Sequence, residues 1–274
     1  HMSKLATKIV NLRIGLSTFT PLEAGIYIIL LLTALTIRIW DLDTRAFHHD
    51  ESLHALYAFN LSNGLGYLHN PMMHGPLQME ATAAIFLAFG DSDFTARLLY
   101  AITGTALAIL PVLMRDQLGR IGALIASAML TFSPSILYFS RFARNDILVA
   151  VWTLSLVICM WNYLITGKTR FLYVGAGFLG IAFCTKENAY VITFILGLYL
   201  AMVLAVRIFR TAQRLRALVQ TPITLINILA SLFFVVMRRL RKNRPSRHGI
   251  FLAMLFTLSL PMGAALVSLV QNTI

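Results

Sequence analysis

Long apolar runs separated by short charged segments make up most of this chain. The runs that are long or nearly long enough to cross a lipid bilayer as an α-helix are residues 23–40, 94–114, 121–140, 147–165, 171–184, 190–206 and 250–270. The pattern therefore predicts an all-α polytopic membrane helix bundle. We expect seven crossings within a range of about seven to nine transmembrane helices.

Other apolar stretches predict helices that do not cross. Residues 77–90 are short for a span and include Glu80, which is typical of an interfacial or re-entrant helix. Residues 53–61 carry Leu53, Tyr57 and Leu61 on one helical face, as in an amphipathic helix at the membrane surface. Residues 222–237 lie between arginine clusters, and we expect a cytoplasmic re-entrant helix or a hairpin there. The predicted organisation is a cytoplasmic N-terminus (1–20), a transmembrane module (21–206) with an outer loop (41–76), an arginine-rich cytoplasmic segment (207–249) and a last transmembrane helix (250–274).

Composition and charge give the class and the orientation. The 274 residues are 58% hydrophobic and 12% charged, with a mean hydropathy of +0.75, which excludes an ordinary soluble domain. The net charge of +12 is not taken as a sign of nucleic-acid binding, because in so apolar a chain basic residues mark the cytoplasmic side. The expected topology places most of the 23 basic residues inside. We expect a multi-pass plasma-membrane protein with a cytoplasmic N-terminus, whose arginines contact anionic lipid.

Three polar motifs fall on the outer face in this topology. They are Asp50-Glu51, the stretch from Arg141 through Arg144 to Asn145-Asp146, and Lys186-Glu187-Asn188. Carboxylates beside basic groups at the mouth of a helix bundle suit a reaction that needs a base and a partner for a phosphate. Each motif also has a structural alternative: Asp50-Glu51 and Asn145-Asp146 as helix-capping residues, and Lys186-Glu187 as an ion pair between neighbours.

Five of the seven histidines lie in the outer loop, which raises the question of a metal. His48, His49 and His54 are suitable ligand types beside the two acids. Their spacing matches no named metal motif, so no metal site is assigned, and a bound divalent metal is left as an alternative.

These motifs carry a family resemblance. The order Asp50-Glu51-Ser52-Leu53-His54, His74-Gly75-Pro76-Leu77, Arg141 to Leu148 and Thr185 to Ala189 resembles the N-terminal half of GT-C membrane glycosyltransferases. It is most similar to family 39, the protein O-mannosyltransferases and aminoarabinose transferases, over residues 20–200. Such enzymes continue with further spans that help to select the acceptor, so we expect that this chain lacks part of that machinery.

The resemblance implies a reaction and roles for particular residues. It implies a polyprenyl-phosphate sugar as donor, an outer active face and inversion at the anomeric carbon by direct displacement. Asp50 would act as the base on the acceptor hydroxyl, Glu51 would orient the acceptor or the base, and Asp146 matches the second acidic position. The expected substrate-binding residues are His74, Arg141, Arg144, Lys186 and Glu187. Gly75 stands where the family has a proline, which predicts a looser turn.

Two other functions are compatible with the residues. The first is a non-catalytic, transferase-derived subunit that packs against other membrane proteins, in which Asp50 and Asp146 would be dispensable. The second is a proton-coupled carrier, which is weakened by the scarcity of charges at mid-membrane depth.

Overall fold

The computed structural model describes residues 19–67, 73–218 and 246–272, and within them the chain is helical without strands. This confirms the predicted all-α membrane helix bundle. The helices are α1 (Pro21–Ile39), α2 (His49–Ser62), α3 (Leu77–Phe89), α4 (Asp93–Ile109), a 3₁₀ turn (Leu110–Met114), α5 (Arg115–Phe132), α6 (Pro134–Ser140), α7 (Asn145–Thr166), α8 (Thr169–Phe183), α9 (Asn188–Leu218) and α10 (Arg247–Asn272).

Four stretches in the described residues are long and apolar enough to span a membrane. They are Pro21–Ile39, Asp93–Phe132, Asn145–Thr166 and Asn188–Arg210. Shorter apolar helices occupy Leu77–Phe89, Thr169–Phe183 and Arg247–Ser259. A helix therefore lies at each predicted span, while the number of crossings stays a prediction. The predicted re-entrant segment at 222–237 lies outside the described residues.

Two predicted spans are interrupted. The run 94–114 leaves the α-helix at Ile109 and continues as a 3₁₀ turn that contains Pro111. The run 121–140 breaks at Ser133, where Pro134 starts the separate helix α6 and the Ser133 hydroxyl accepts from the Ile136 backbone N–H. Proline cannot donate the backbone hydrogen bond that would continue α5, so these breaks follow from local chemistry.

Buried arginines connect α1, α4 and α5 and show their relative directions. Near the start of α1, Glu23 pairs with Arg115 at the start of α5 (2.5 Å). Near the end of α1, the fully buried Arg38 donates to the Leu130 carbonyl near the end of α5 (3.0 Å). Helices α1 and α5 therefore run in the same direction. Arg97, near the start of α4, donates to the Leu42 carbonyl just beyond the end of α1 (2.9 Å), so α4 runs opposite to them.

The short helices α2 and α3 pack together near the start of α4. Ala58 of α2 is buried with Met79, Ala83 and Phe86 of α3. Helix α3 has only 13 residues, in keeping with the prediction of a helix too short to be an ordinary span.

The described chain forms two compact units. The first unit runs to Cys159 and includes 177–189, and it contains every predicted site residue. The second comprises 160–176 and the residues from Tyr190 onward. Within the second, Arg247 donates to the Leu164 and Ile165 carbonyls (3.2 and 2.6 Å) and so caps the C-terminal end of α7.

Candidate active site

A cavity of about 370 Å³ in the first unit brings together four of the eight residues predicted as catalytic or substrate-binding. One wall comes from the first turns of α2, and the other from the start of α7 and the segment that precedes α9. The residues that line it are His49, Asp50, Leu53, His54, Met73, His74, Arg144, Asn145 and Lys186.

The α2 wall follows from how that helix begins. His48 is the N-cap: its ring nitrogen Nδ1 accepts from the Asp50 N–H (3.3 Å), and the Glu51 carboxylate accepts from the His48 N–H (3.1 Å). This reciprocal capping starts the helix at His49. Asp50 and His54 are then one helical turn apart on the same face, and both line the cavity.

Glu51 lies elsewhere: its carboxylate is fully buried and is not part of the cavity wall. It accepts from Arg97 (Nε 2.9 Å and Nη2 3.2 Å), from Arg45 (2.8 Å), and from the backbone N–H groups of His48 (3.1 Å) and Ala143 (3.0 Å). Burial alone would raise the pKa of Glu51, but these hydrogen bonds hold it below its ordinary value. Glu51 therefore connects α2, α4 and the segment before α7 in a buried position. The role implied by the family resemblance, orienting the acceptor or the base, stays a prediction.

Arg144 joins two of the four carboxylates that the sequence analysis predicts in the site. Its guanidinium lies 3.3 Å from Asp50 (Nη1 to Oδ2) and 3.5 Å from Asp146 (Nε to Oδ2). Lys186 pairs with the other oxygen of Asp146 at 3.1 Å. The side chains of Asp50, Arg144 and Asp146 are each about one-third exposed. Ion pairs this exposed contribute on the order of 0–1 kcal/mol, so their partners can be exchanged at little cost.

The turn at His74 and Gly75 is held tightly. The Gly75 N–H donates to the Thr185 carbonyl (3.1 Å), and the Leu77 N–H donates to the Cys184 carbonyl (3.0 Å). A Cβ at Gly75 would come within 2.1 Å of that Cys184 oxygen. The predicted looser turn is therefore wrong: glycine is present because the two backbones touch. His74 itself has a positive φ of 62°, and its Nδ1 lies 2.9 Å from the Glu187 carboxylate.

Several expectations for the basic residues and caps need correction. Lys186 and Glu187 do not pair with each other, because they contact Asp146 and His74 respectively. Arg141 does not line the cavity; its guanidinium donates to the Ile37, Trp40 and Asp41 carbonyls (2.9, 2.5 and 2.7 Å) at the end of α1. Carbonyls at a helix C-terminus are natural partners for such a cation.

Asn145 is the first residue of α7 and lines the cavity, but its side chain does not cap the helix. Its amide nitrogen and amide oxygen are both buried, and neither has a hydrogen-bond partner in the described part of the chain. An unpaired buried amide costs about 1–3 kcal/mol, so this position is held in place by its surroundings.

The cavity histidines differ in environment. Burial is the main cause that lowers the pKa of His54 to about 4; the nearby His74, Arg144 and Lys186 lower it further, and Asp50 opposes them. The ring is therefore neutral near pH 7. In residues 19–67, 73–218 and 246–272 no group of three or more His, Cys, Asp or Glu side chains is arranged to hold a metal ion. Among the metal candidates, His48 caps α2, and His49 is exposed at the cavity mouth.

With this geometry in place, comparison with known proteins gives the family. Residues 69–219, more than half of the chain, match the family model of the dolichyl-phosphate-mannose-protein mannosyltransferases. The chain belongs to this family. The match supports a membrane glycosyltransferase of the GT-C class. Neither the curated proteins nor the solved structures that were searched gave a match.

Two residues that support the mannosyltransferase-like site were not anticipated from the sequence. Arg97 is buried against Glu51, and for Asn145 the sequence indicates only a helix-capping role. A signal for Arg97 was available: an arginine inside an apolar run requires a counter-charge or carbonyl partners.

Proposed function

We propose that this chain transfers a sugar from a polyprenyl-phosphate donor to an acceptor hydroxyl, with inversion, on the outer face of the plasma membrane. The observation that carries the proposal is that one cavity holds Asp50 beside Arg144 and Lys186. A base and two cations in a single partly exposed cavity are the groups that such a displacement requires.

In the proposed reaction Asp50 takes the proton of the acceptor hydroxyl, and the oxygen of that hydroxyl forms a bond to the anomeric carbon of the donor sugar. The bond from that carbon to the phosphate oxygen breaks, and polyprenyl phosphate leaves with the electron pair. Arg144 and Lys186 stabilise the charge that grows on the phosphate. In the structure both cations contact carboxylates that are about one-third exposed, and these pairs exchange for phosphate contacts when the donor binds.

The other predicted residues then have supporting roles. Before the donor binds, Asp146 contacts both cations and holds them together. His74, paired with Glu187, forms part of the cavity edge. Within the first unit, Arg115 lies near the start of α1, whereas the site lies near the other end of that helix. If basic residues mark the cytoplasmic side, this arrangement supports an outer site.

The test is sugar transfer by the purified chain in lipid, using radiolabelled polyprenyl-phosphate mannose, glucose and aminoarabinose as donors. Acceptors are a threonine-containing peptide and a free oligosaccharide. We expect Asp50→Asn to lower kcat by about 10²–10⁴-fold, the usual contribution of a general base. The matched control is Asp43→Asn, the same change at an exposed position outside the cavity, which should leave kcat unchanged.

Full activity of the Asp50→Asn variant would overturn the assignment of the base. No transfer by the wild-type chain with any donor and acceptor pair would favour the alternative, a transferase-derived subunit of a larger membrane complex. The anomeric configuration of the product, read by NMR, decides between inversion and retention.

A further inference from the structure

The imidazole of His54 has no role in the proposed reaction. His54 lines the cavity wall one helical turn from Asp50. Four of the other polar groups there have charged partners: Asp50 and Arg144 contact each other, Lys186 contacts Asp146, and His74 contacts Glu187. Of the remaining two, the Asn145 amide is buried and unpaired, and His49 is exposed. The His54 ring has neither a hydrogen bond nor an ion pair to any residue in 19–67, 73–218 or 246–272.

The charge state of His54 indicates the type of ligand group that it can bind. Because burial and the neighbouring cations keep the ring neutral near pH 7, it offers one N–H donor and one acceptor nitrogen. A phosphate only accepts hydrogen bonds, and Arg144 and Lys186 are better partners for it. A hydroxyl group both donates and accepts, so it matches a neutral imidazole.

The position of His54 indicates which hydroxyl this is. In a direct displacement the attacking oxygen and the departing phosphate lie on opposite sides of the anomeric carbon. The two cations come from the start of α7 and the segment before α9, whereas Asp50 and His54 share one face of α2. Side chains four residues apart on a helix have Cβ atoms about 5–6 Å apart, so both can reach one hydroxyl between them.

We propose that His54 binds the acceptor hydroxyl and directs its O–H toward Asp50. The inference rests on the proposed function and adds a residue to its acceptor side. It assigns α2 to the acceptor and the α7 wall to the donor phosphate.

The experiment compares His54→Leu, His54→Gln and Ser52→Ala in the transfer assay, with the KM of donor and acceptor measured separately. His54→Leu removes the hydrogen bond, and we expect the acceptor KM to rise roughly 10-fold while the donor KM stays within about 2-fold. His54→Gln, a neutral donor and acceptor, should restore most of the acceptor affinity. Ser52→Ala lies on the exposed side of the same helix and should change neither constant.

Other results overturn the inference. A rise in donor KM would place His54 with the donor, and unchanged constants would leave it without a substrate contact. If His54→Leu does not fold, His54→Gln and His54→Asn decide, because their amides can replace Nε2 and Nδ1 respectively. One of the two should keep the wild-type acceptor KM, and equal losses with both would refute the proposal. Failure of the proposed function is distinguishable, because it appears as an inactive wild type or as full activity of Asp50→Asn.

Discussion

Replacing Glu51 by glutamine tests whether this carboxylate holds the site together or takes part in the reaction. The wild-type carboxylate receives five hydrogen bonds, all from N–H donors, two of them from the buried Arg97. In Glu51→Gln one oxygen becomes an NH₂ group that faces donors instead of accepting from them. The charge that balances the Arg97 guanidinium is lost as well.

The expected cost follows from burial. Removing one partner of a buried ion pair destabilises a protein by about 3–5 kcal/mol. Both side chains of the Glu51–Arg97 pair are almost fully buried (0% and 1% exposed), so solvent screening does not reduce this value. Arg45, whose side chain is 46% exposed, adds little. With about 2–4 °C per kcal/mol for a domain of 150–250 residues, the midpoint of thermal unfolding should fall by roughly 6–20 °C.

The assay is thermal unfolding in detergent, and the reaction of the buried Cys159 thiol with a fluorescent maleimide reports the fraction unfolded. Glu80→Gln is the matched control, since it makes the same change at an exposed position on α3 and should leave the midpoint unchanged. A Glu51→Gln variant that unfolds within about 2 °C of wild type but has lost transfer activity would refute the structural role. It would instead support the role implied by the family resemblance, contact with the acceptor or the base.

Three further predictions test the surroundings of the site. Gly75→Ala should lower the unfolding midpoint, because its Cβ would meet the Cys184 backbone; Gly177→Ala, with nothing within 4 Å, should not, and equal behaviour of the two would contradict the tight turn. Asn145→Leu should raise stability by about 1–3 kcal/mol by removing an unpaired buried amide; a less stable variant would show that the amide has a partner. The folded-state pKa of Glu51 lies below its ordinary value of 4.5, so the ionised carboxylate should contribute to folding stability above pH 4.5, and this contribution should be lost as the pH falls below that value. An acid titration in which the Glu51→Gln variant loses as much stability as the wild type would contradict this prediction.

Hydropathy and motif order could predict the helices and the residues that meet in the cavity. Four of the eight residues that the motifs predict as catalytic or substrate-binding line one cavity, namely Asp50, His74, Arg144 and Lys186. The other four do not line it: Glu51, Arg141, Asp146 and Glu187. Apolar runs report helices directly, because burial in lipid requires a continuous apolar segment. The catalytic and binding roles of these residues stay predictions.

The sequence could not separate adjacent residues that point in different directions. Asp50 and Glu51 are neighbouring acids, yet one lines the cavity and the other is fully buried against Arg97. Successive residues on a helix lie about 100° apart, and which of them faces the core depends on partners distant in sequence. The tight turn at Gly75 depends in the same way on a distant residue, because the contact that requires glycine is with Cys184, more than a hundred residues away.

The buried contacts of Glu51 also show how α2, which lies outside the residues matched to the family, is connected to the matched region. The matched residues begin at 69, so α2, with Asp50 and His54, precedes them. Contacts connect this helix to the matched region: Glu51 binds Arg97 and the Ala143 N–H, and Asp50 pairs with Arg144. Because Ala143 directly precedes Arg144, one buried carboxylate fixes the start of α2 against the segment that supplies the first phosphate-binding cation of the proposed reaction. The case for Asp50 as part of the family's site therefore rests on three-dimensional contacts, and Glu51→Gln should disturb the proposed base and the proposed phosphate contact together.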